Sequence, residues 1–417
     1  MEEVFEEWCA YARRKKLENR DVDINRIISD SRFKLAGITG IRRSGKSSLL
    51  MLIYQKLMDE GKRTAYVNLE DSRIKDEKDV LDSILKWFGD EGYLLLDEIT
   101  YAQDWEGWLA RNHEMLKGKL RVIITSSRKK LAEPSKPLRG RIFIHELYPL
   151  SFREFLTFRD VKLENTTSGM GRIERALKEY LVYGGFPEVV LTRDKTDKIR
   201  ILNSYFRDII GLDVAEMANE TPAVVETFGK YVLETPRFSA SKCLNFFKSL
   251  GYKIGKESIL NLEKHSENGY LFFFVPIFSH TIKDRLQYPR KAYAGDTGFL
   301  RAITGRLDRG RLLENAVFLE LKRRREPQTS IYYWKNRQNL EVDFVLVRGS
   351  RVENIVQVAY EFDSEKTRSR EIKGLIACAK EFSLRRGMII TSNTENEMRY
   401  EGIRIRSIPF WKWVLTP

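Results

Sequence analysis

The sequence predicts an α/β chain of several domains: a parallel sheet with helices on both faces, a helical lid, a winged helix and a small α/β domain. Three observations carry this. At 417 residues the chain exceeds one ordinary core. Over its first third, short apolar runs alternate with helical patterns, which implies a parallel sheet covered on both sides. Beyond residue 151 the periodicity becomes helical, and after 290 strands and helices mix again. The expected divisions are 1–150, 151–220, 221–285 and 286–417.

Residues 2–16 read as a helix, followed by apolar strands at 34–39, 63–69, 92–96, 120–125 and 141–147. The lid covers 151–215 and is interrupted at Gly184-Gly185-Phe186-Pro187, where two glycines and a proline break a helix. Three short helical patterns and an apolar strand at 270–278 describe the winged helix. The last domain has a helix at 312–325, strands at 331–334, 342–347 and 354–359, and a helix at 366–382.

The formal charge of +14, from 73 Lys and Arg against 59 Asp and Glu, favours polyanionic partners. Cys9, Cys243 and Cys378 lie far apart and form no CxxC pair, which argues against a disulfide framework or thiolate metal site and fits a reducing cytoplasm. The amino terminus lacks the basic and then apolar pattern of a signal peptide, and the apolar stretch at 270–278 is half a bilayer long. Neither export nor a membrane partner is expected.

Gly40-Ile41-Arg42-Arg43-Ser44-Gly45-Lys46-Ser47 matches GxxxxGK[ST], follows a strand and precedes a helix that opens with Ser48. The glycines let backbone amides converge on an anion, and the helix amino terminus adds partial positive charge. Gly40, Arg43, Ser44, Gly45, Lys46, Ser47 and Ser48 are the expected ATP contacts, with Lys46 on the terminal phosphates and Ser47 on Mg2+. Tyr93-Leu94-Leu95-Leu96-Asp97-Glu98 is an apolar strand ending in two acids at the carboxyl edge of the sheet. Asp97 is expected to hold Mg2+ through water and Glu98 to orient or deprotonate the attacking water.

The strand at 120–125 ends in Thr125-Ser126-Ser127, where a hydroxyl can sense the terminal phosphate or cap a turn. Arg139 and Arg141, just before the last strand, are either surface cations or a finger directed at the nucleotide of a neighbouring subunit in a homo-oligomer. Trp105 and Trp108 are explained by packing.

With these motifs the chain resembles the AAA-type ATPases of archaea and bacteria, related to the signalling ATPases, that end in a restriction-endonuclease-like domain of unassigned function. The resemblance extends over Pro149-Leu150-Ser151-Phe152-Arg153-Glu154-Phe155, Tyr183-Gly184-Gly185-Phe186-Pro187-Glu188, Asp296-Thr297-Gly298, Glu314-Asn315-Ala316-Val317, Glu341-Val342-Asp343-Phe344 and Gln357-Val358. It implies an ATPase core, a helical lid, a winged helix and a nuclease-like terminal fold. Where the family often has a glycine after the sensor-strand threonine, this chain has Ser126, which leaves Thr125, Ser126 and Ser127 as alternatives.

Nucleases of the restriction type gather a helix glutamate, a strand aspartate and an E-x-K tripeptide around magnesium. Glu314, Asp343 and Gln357-Val358-Ala359 fall at those places, so the tripeptide has lost its charge and its lysine. Glu341 shares a face with Asp343 by alternation, and Gln357 could ligate only through its carbonyl. The alternative is that these acids are structural remnants or ion-pair partners of the Lys322-Arg323-Arg324-Arg325 run. In the winged helix, Lys253, Lys256 and Lys264 lie on or near the recognition helix, 256–265, where they can meet a DNA backbone. The function expected is an ATP-hydrolysing switch or motor acting on DNA. The alternatives are a nucleotide-dependent signalling switch with a protein partner and an ATP-gated nuclease.

Overall fold

The structure, a computed structural model, describes residues 1–417 except 128–130, 132–135, 165, 280, 327, 363–364 and 417. It divides into two compact units, Met1–Tyr148 with Asn268–Tyr270, and Pro149–Glu267 with Leu271–Pro417.

The first unit opens with helices α1 (Glu2–Arg14) and α2 (Ile24–Asp30). Strands β1 (Leu35–Thr39), β2 (Thr64–Asn68), β3 (Gly92–Asp97), β4 (Leu120–Ser126) and β5 (Ile142–Glu146) follow, with helices α3 (Lys46–Asp59), α4 (Val80–Phe88) and α5 (Trp105–Met115) between them. The sheet is parallel in the order β2-β3-β4-β1-β5. Its middle strands are covered on both faces, which is why they appear in the sequence as unbroken apolar runs rather than alternations. Phe5, Val67, Leu94, Leu96 and Trp108 share one core, and Ile38, Leu50, Ile53, Tyr66 and Leu95 the other. Trp105 and Trp108 are buried, and the Trp108 indole donates to Asp82 at 2.7 Å.

The second unit starts with α6 (Phe152–Phe158), α7 (Thr167–Tyr183), α8 (Pro187–Leu191) and α9 (Lys195–Asp208), which continues through a π-helical stretch, Ile209–Ala215, into α10 (Glu216–Ala218). Ser151 and Glu154 form a reciprocal capping box at the start of α6. Next come α11 (Pro222–Glu234), β6 (Arg237–Phe238), α12 (Ala240–Ser249), α13 (Lys256–Asn268), β7 (Phe272–Val275), α14 (Ile282–Gln287) and β8 (Arg290–Ala294). The three strands form an antiparallel sheet ordered β6-β8-β7. This sheet crosses the division expected at 285–286, because β8 pairs backwards with strands on the earlier side.

Helices α15 (Thr297–Thr304) and α16 (Arg309–Arg324) lead to β9 (Thr329–Lys335), β10 (Glu341–Arg348), β11 (Arg351–Ala359), α17 (Glu365–Glu381), β12 (Arg386–Thr391), β13 (Asn396–Tyr400), β14 (Ile403–Pro409) and α18 (Phe410–Leu415). The six strands form a mixed sheet ordered β13-β14-β12-β11-β10-β9.

Asp296 clasps two glycine-bearing segments. Its carboxylate accepts from the Gly185 amide and the Gly298 amide, each at 2.8 Å. Gly184, at φ +77°, has no room for a side chain, since a Cβ would sit 1.6 Å from an Asp296 oxygen. Burial pushes the Asp296 carboxyl up to about 6, against the pull of the two amides and of Arg323. Asp296→Ala should lower stability by roughly 1–3 kcal/mol for each buried amide left unpaired. Because its folded pKa is raised, the stability the carboxyl contributes is fully present below the ordinary carboxylate range and is lost as pH rises through about 6. The gap in Tm between wild type and variant should therefore narrow over that interval, and a gap that widened would refute the assignment.

Candidate functional site

The loop between β1 and α3 is shaped by close backbone approaches. Gly40 lies against the chain leaving β5, so that a Cβ there would stand 2.0 Å from the Leu147 carbonyl oxygen. Gly45 at φ +98° and Arg43 at φ +69° take left-handed conformations that turn the chain into the amino end of α3. Lys46, buried, donates to the carbonyls of Gly40 at 3.2 Å and Ile41 at 3.4 Å and lies 3.5 Å from Glu98 Oε1. The Ser44 hydroxyl is buried without a hydrogen-bond partner among the described residues. An inward ammonium, a hydroxyl with unused hydrogen-bonding capacity and a helix amino terminus form a donor set suited to phosphate oxygens.

Three hydroxyls converge on Asp97 at the end of β3. Tyr66 donates to Oδ2 at 2.8 Å, Thr125 donates to Oδ1, and Ser47 adds a third hydrogen bond. Burial and the neighbouring Glu98 push the Asp97 carboxyl up, and these hydroxyls pull it back. Burial, with the Asp97 charge, holds the Tyr66 phenol well above its ordinary value, so it remains a donor. Glu98 takes a left-handed backbone, φ +50°, and its amide donates to Thr125 Oγ1 at 2.8 Å. The Ser127 amide donates to Glu98 Oε2 at 3.0 Å. At the end of β4, the Thr125 hydroxyl thus links the Asp97 carboxylate to the Glu98 backbone, and the Ser127 amide meets the Glu98 carboxylate.

Two contributors are not legible in the sequence. Tyr66 looks like core within an apolar strand, and its role emerges only because β2 lies beside β3 with Asn68 in register with Asp97. Arg20 donates to the Ser44 carbonyl at 2.7 Å and the Tyr148 carbonyl at 3.0 Å, fastening the loop across long sequence separations that carry no local pattern. Arg141 is far from the loop within its own sheet. It precedes β5, and its carbonyl accepts from the Leu35 amide at the start of β1, whereas the loop leaves from the other end of β1. The Arg141 side chain donates to the Pro137 carbonyl at 3.0 Å, and Arg139 is exposed.

In the second unit, Glu314, Asp343 and Gln357 do come together, around a residue that no sequence motif singles out. Lys291 of β8 lies 2.6 Å from Asp343 Oδ1, 2.9 Å from Glu314 Oε1 and 3.1 Å from Glu341 Oε1. The Tyr293 hydroxyl donates to Glu314 at 2.7 Å. The Gln357 carbonyl is not free to ligate: it accepts from the Asp343 amide at 3.0 Å, while the side-chain amide donates to Glu371 at 2.6 Å. In the 322–325 run, Arg323 and Arg324 pair with Glu320. Among the described residues, no group of three or more His, Cys, Asp or Glu side chains could hold a metal ion. On α13, Lys256 and Lys264 are exposed, as is Lys253 just before it.

Known proteins share each part of this chain. Residues 32–156 match the AAA domain family. Residues 174–309 and 309–412 match two domains of unknown function, DUF8612 and DUF4143. Over 435 aligned residues the chain is 32% identical to the uncharacterized protein MJ1544 of Methanocaldococcus jannaschii, covering 100% of this chain and 95% of that one. The chain belongs to the family of that archaeal protein. A second relative, from Haemophilus influenzae, is 26% identical over 390 residues, 90% of this chain and 93% of the relative. Among solved structures, AMPPCP-bound DnaA from Aquifex aeolicus aligns at 15% identity and a TM-score of 0.29, over 58% of this chain and 85% of its own. The signal transduction ATPase PH0952 from Pyrococcus horikoshii aligns at 13% identity and a TM-score of 0.31, over 75% and 47%. Likenesses that weak carry no functional inference. The first unit is a P-loop domain of AAA type on the strength of its family match and its loop. Among the described residues, no helix is long and apolar enough to cross a membrane.

Proposed function

We propose that this family member is an ATP-binding and ATP-hydrolysing switch or motor that acts on DNA. The observation that carries the reading is the convergence of Lys46, Ser47, Asp97 and Glu98 on one side of the loop, with Lys46 held by carbonyl oxygens and a carboxylate that phosphate oxygens can replace. In this reading Gly40, Arg43, Ser44, Gly45 and Ser48 complete the nucleotide cradle. The Ser47 hydroxyl and Asp97 would hold Mg2+, which supplies charge neutralisation at the phosphates. Glu98, set by the Thr125 hydroxyl and the Ser127 amide, orients water for in-line attack.

The remaining assignments follow the same logic. Residues 1–150 form the ATPase core and 151–220 a helical lid. Helices α11 to α13 with the β6-β8-β7 sheet form a winged helix whose exposed Lys253, Lys256 and Lys264 meet phosphates. The terminal sheet is restriction-endonuclease-like in shape and does not cleave. Arg139 or Arg141, at the edge of the sheet away from its own loop, serves the nucleotide of a neighbouring copy in a homo-oligomer. Mixing Lys46→Ala subunits with arginine-substituted subunits should then restore some hydrolysis, because mixed interfaces pair an intact loop with an intact arginine. Subunit exchange without rescue would count against it.

The test of the main reading is the ATPase rate with and without single-stranded, duplex and branched DNA. Stimulation by one of these forms is the expected result. Hydrolysis indifferent to all three would transfer the reading to a signalling switch with a protein partner.

A further inference from the structure

The terminal six-stranded sheet has one face covered by α17, whose Leu375, Cys378 and Ala379 pack on Ile355, Ile389 and Ile405. Strand alternation sends Asn354 and Val356 of β11, Arg386 and Met388 of β12, and Arg404 and Arg406 of β14 to the other face. There they line a hollow of about 440 Å3, with Trp413 of α18 and Arg324 of α16 at its wall. A second hollow of about 610 Å3 adjoins it, sharing Asn354 and Arg386 and adding Arg348, Arg351 and Arg385.

The charges on this face are arranged against the sheet's own stability. Arg386 stands in register with Arg404, Arg404 faces Arg399 on its other side, and Arg348 faces Arg351 across the β10–β11 hairpin. Like charges in register are destabilising. Compensation is partial. Arg404 pairs with Glu397 at 2.8 Å, Arg406 with Glu395 at 3.7 Å, and Arg348 with Glu326 and Glu353. Among the described residues, Arg351, Arg385 and Arg386 have no carboxylate partner. The Arg324 guanidinium is fixed 4.9 Å from the Trp413 ring centroid, held by Glu320 at 2.6 Å and by the Val414 carbonyl.

From this we infer that the arginine face of the terminal sheet is a binding site for single-stranded nucleic acid. Arg351, Arg385, Arg386, Arg404 and Arg406 take phosphates, and a base lies between the Trp413–Arg324 stack and the apolar floor of Val356 and Met388. Guanidinium rows beside an aromatic platform are the two components of sequence-tolerant single-strand binding. The hollows are concave, which disfavours a flat lipid surface. An acidic peptide would leave the aromatic and apolar floor unused. The inference rests on the reading of the chain as a DNA-acting ATPase, and it places a binding surface where neither the α13 lysines nor the phosphate loop lies.

The experiment uses the full chain and a labelled oligothymidylate, titrated at several salt concentrations. Replacing Arg386, Arg404 and Arg406 together by Gln should weaken binding at least tenfold. It should also reduce the slope of log affinity against log salt by about 2, at roughly 0.7 for each phosphate that is no longer neutralised. The corresponding triple Lys variant should keep most of the affinity, both should bind ATP as wild type does, and the Gln variant should melt no lower than wild type. The Gln substitutions at Lys253, Lys256 and Lys264 serve as the comparison. If the wild type binds and the arginine variant binds equally with an unchanged slope, the inference fails while the DNA reading stands. If the wild type binds no nucleic acid, both fail. Arginine-dependent capture of phosphatidylserine vesicles or polyglutamate in place of the oligonucleotide would overturn the inference in favour of those partners.

Discussion

Glu98→Gln should bind ATP at least as tightly as wild type and turn it over 10²- to 10⁴-fold more slowly, roughly the range for removal of a general base. Lys46→Ala should fail to bind ATP tightly. The two variants separate because the residues meet different partners. Lys46 lies among the loop carbonyls, where phosphate oxygens would enter, and 3.5 Å from Glu98. Glu98 is set by its left-handed backbone, by the Thr125 hydroxyl and by the Ser127 amide. That constellation survives a change to Gln, which keeps the shape and removes the charge. Nucleotide must displace the buried Lys46–Glu98 pair to engage the lysine, so the charge-neutral variant should, if anything, gain affinity. A single-turnover measurement together with equilibrium binding of labelled ATP tests both statements. Equal turnover in wild type and Glu98→Gln would remove the residue from the mechanism, and tight binding by Lys46→Ala would remove the lysine from the phosphate site.

The legibility of the fold followed how its elements are buried. Strands β1, β3 and β4 are readable because burial on both faces leaves apolar runs such as Tyr93-Leu94-Leu95-Leu96, and the loop because Gly40 is required by a close backbone approach and Gly45 by its left-handed backbone. Strands β12 to β14 carry no such unbroken apolar run. Ile403-Arg404-Ile405-Arg406 alternates, but its outward residues are arginines, which resemble a solvated segment as much as an edge of a sheet. The motifs that carried the family resemblance turn out to include polar residues that satisfy buried backbone groups. Ser151 and Glu154 cap a helix, Asp296 ties down Gly185 and Gly298, and Asn315 bonds both the amide and the carbonyl of Ala294. Tyr66, Arg20 and Lys291 were hidden because their partners come from remote parts of the chain. A signal for Lys291 did exist, since in Arg290-Lys291-Ala292-Tyr293-Ala294 alternation puts the lysine on the same side as Tyr293, facing inward.

That inward lysine gives the second large effect. Lys291→Met should destabilise the protein by roughly 3–5 kcal/mol, the cost of breaking a buried charge pair by removing one partner. Burial alone would lower the pKa of the Lys291 ammonium, but Asp343 and Glu314 more than offset it and raise it above its ordinary value. Burial and Glu314 push Asp343 up to about 6 even with Lys291 pulling it down, so losing the lysine must push it higher. An acid with a raised folded pKa contributes stability below its unfolded pKa and loses it as pH rises through the folded one. The defect in Lys291→Met should therefore be mild in acid and severe at neutral pH. Adding Asp343→Asn and Glu314→Gln should recover part of the loss by removing the orphaned charges. The same geometry bears on cleavage. If the terminal domain is nuclease-like as proposed, the ammonium lies between the carboxylates that would hold the metal, and the Gln357 carbonyl is spent on the Asp343 amide. Duplex, single-stranded and branched DNA should all survive incubation with the wild type in magnesium or manganese. Cutting that disappears in Asp343→Ala would overturn this account and make the chain an ATP-gated nuclease.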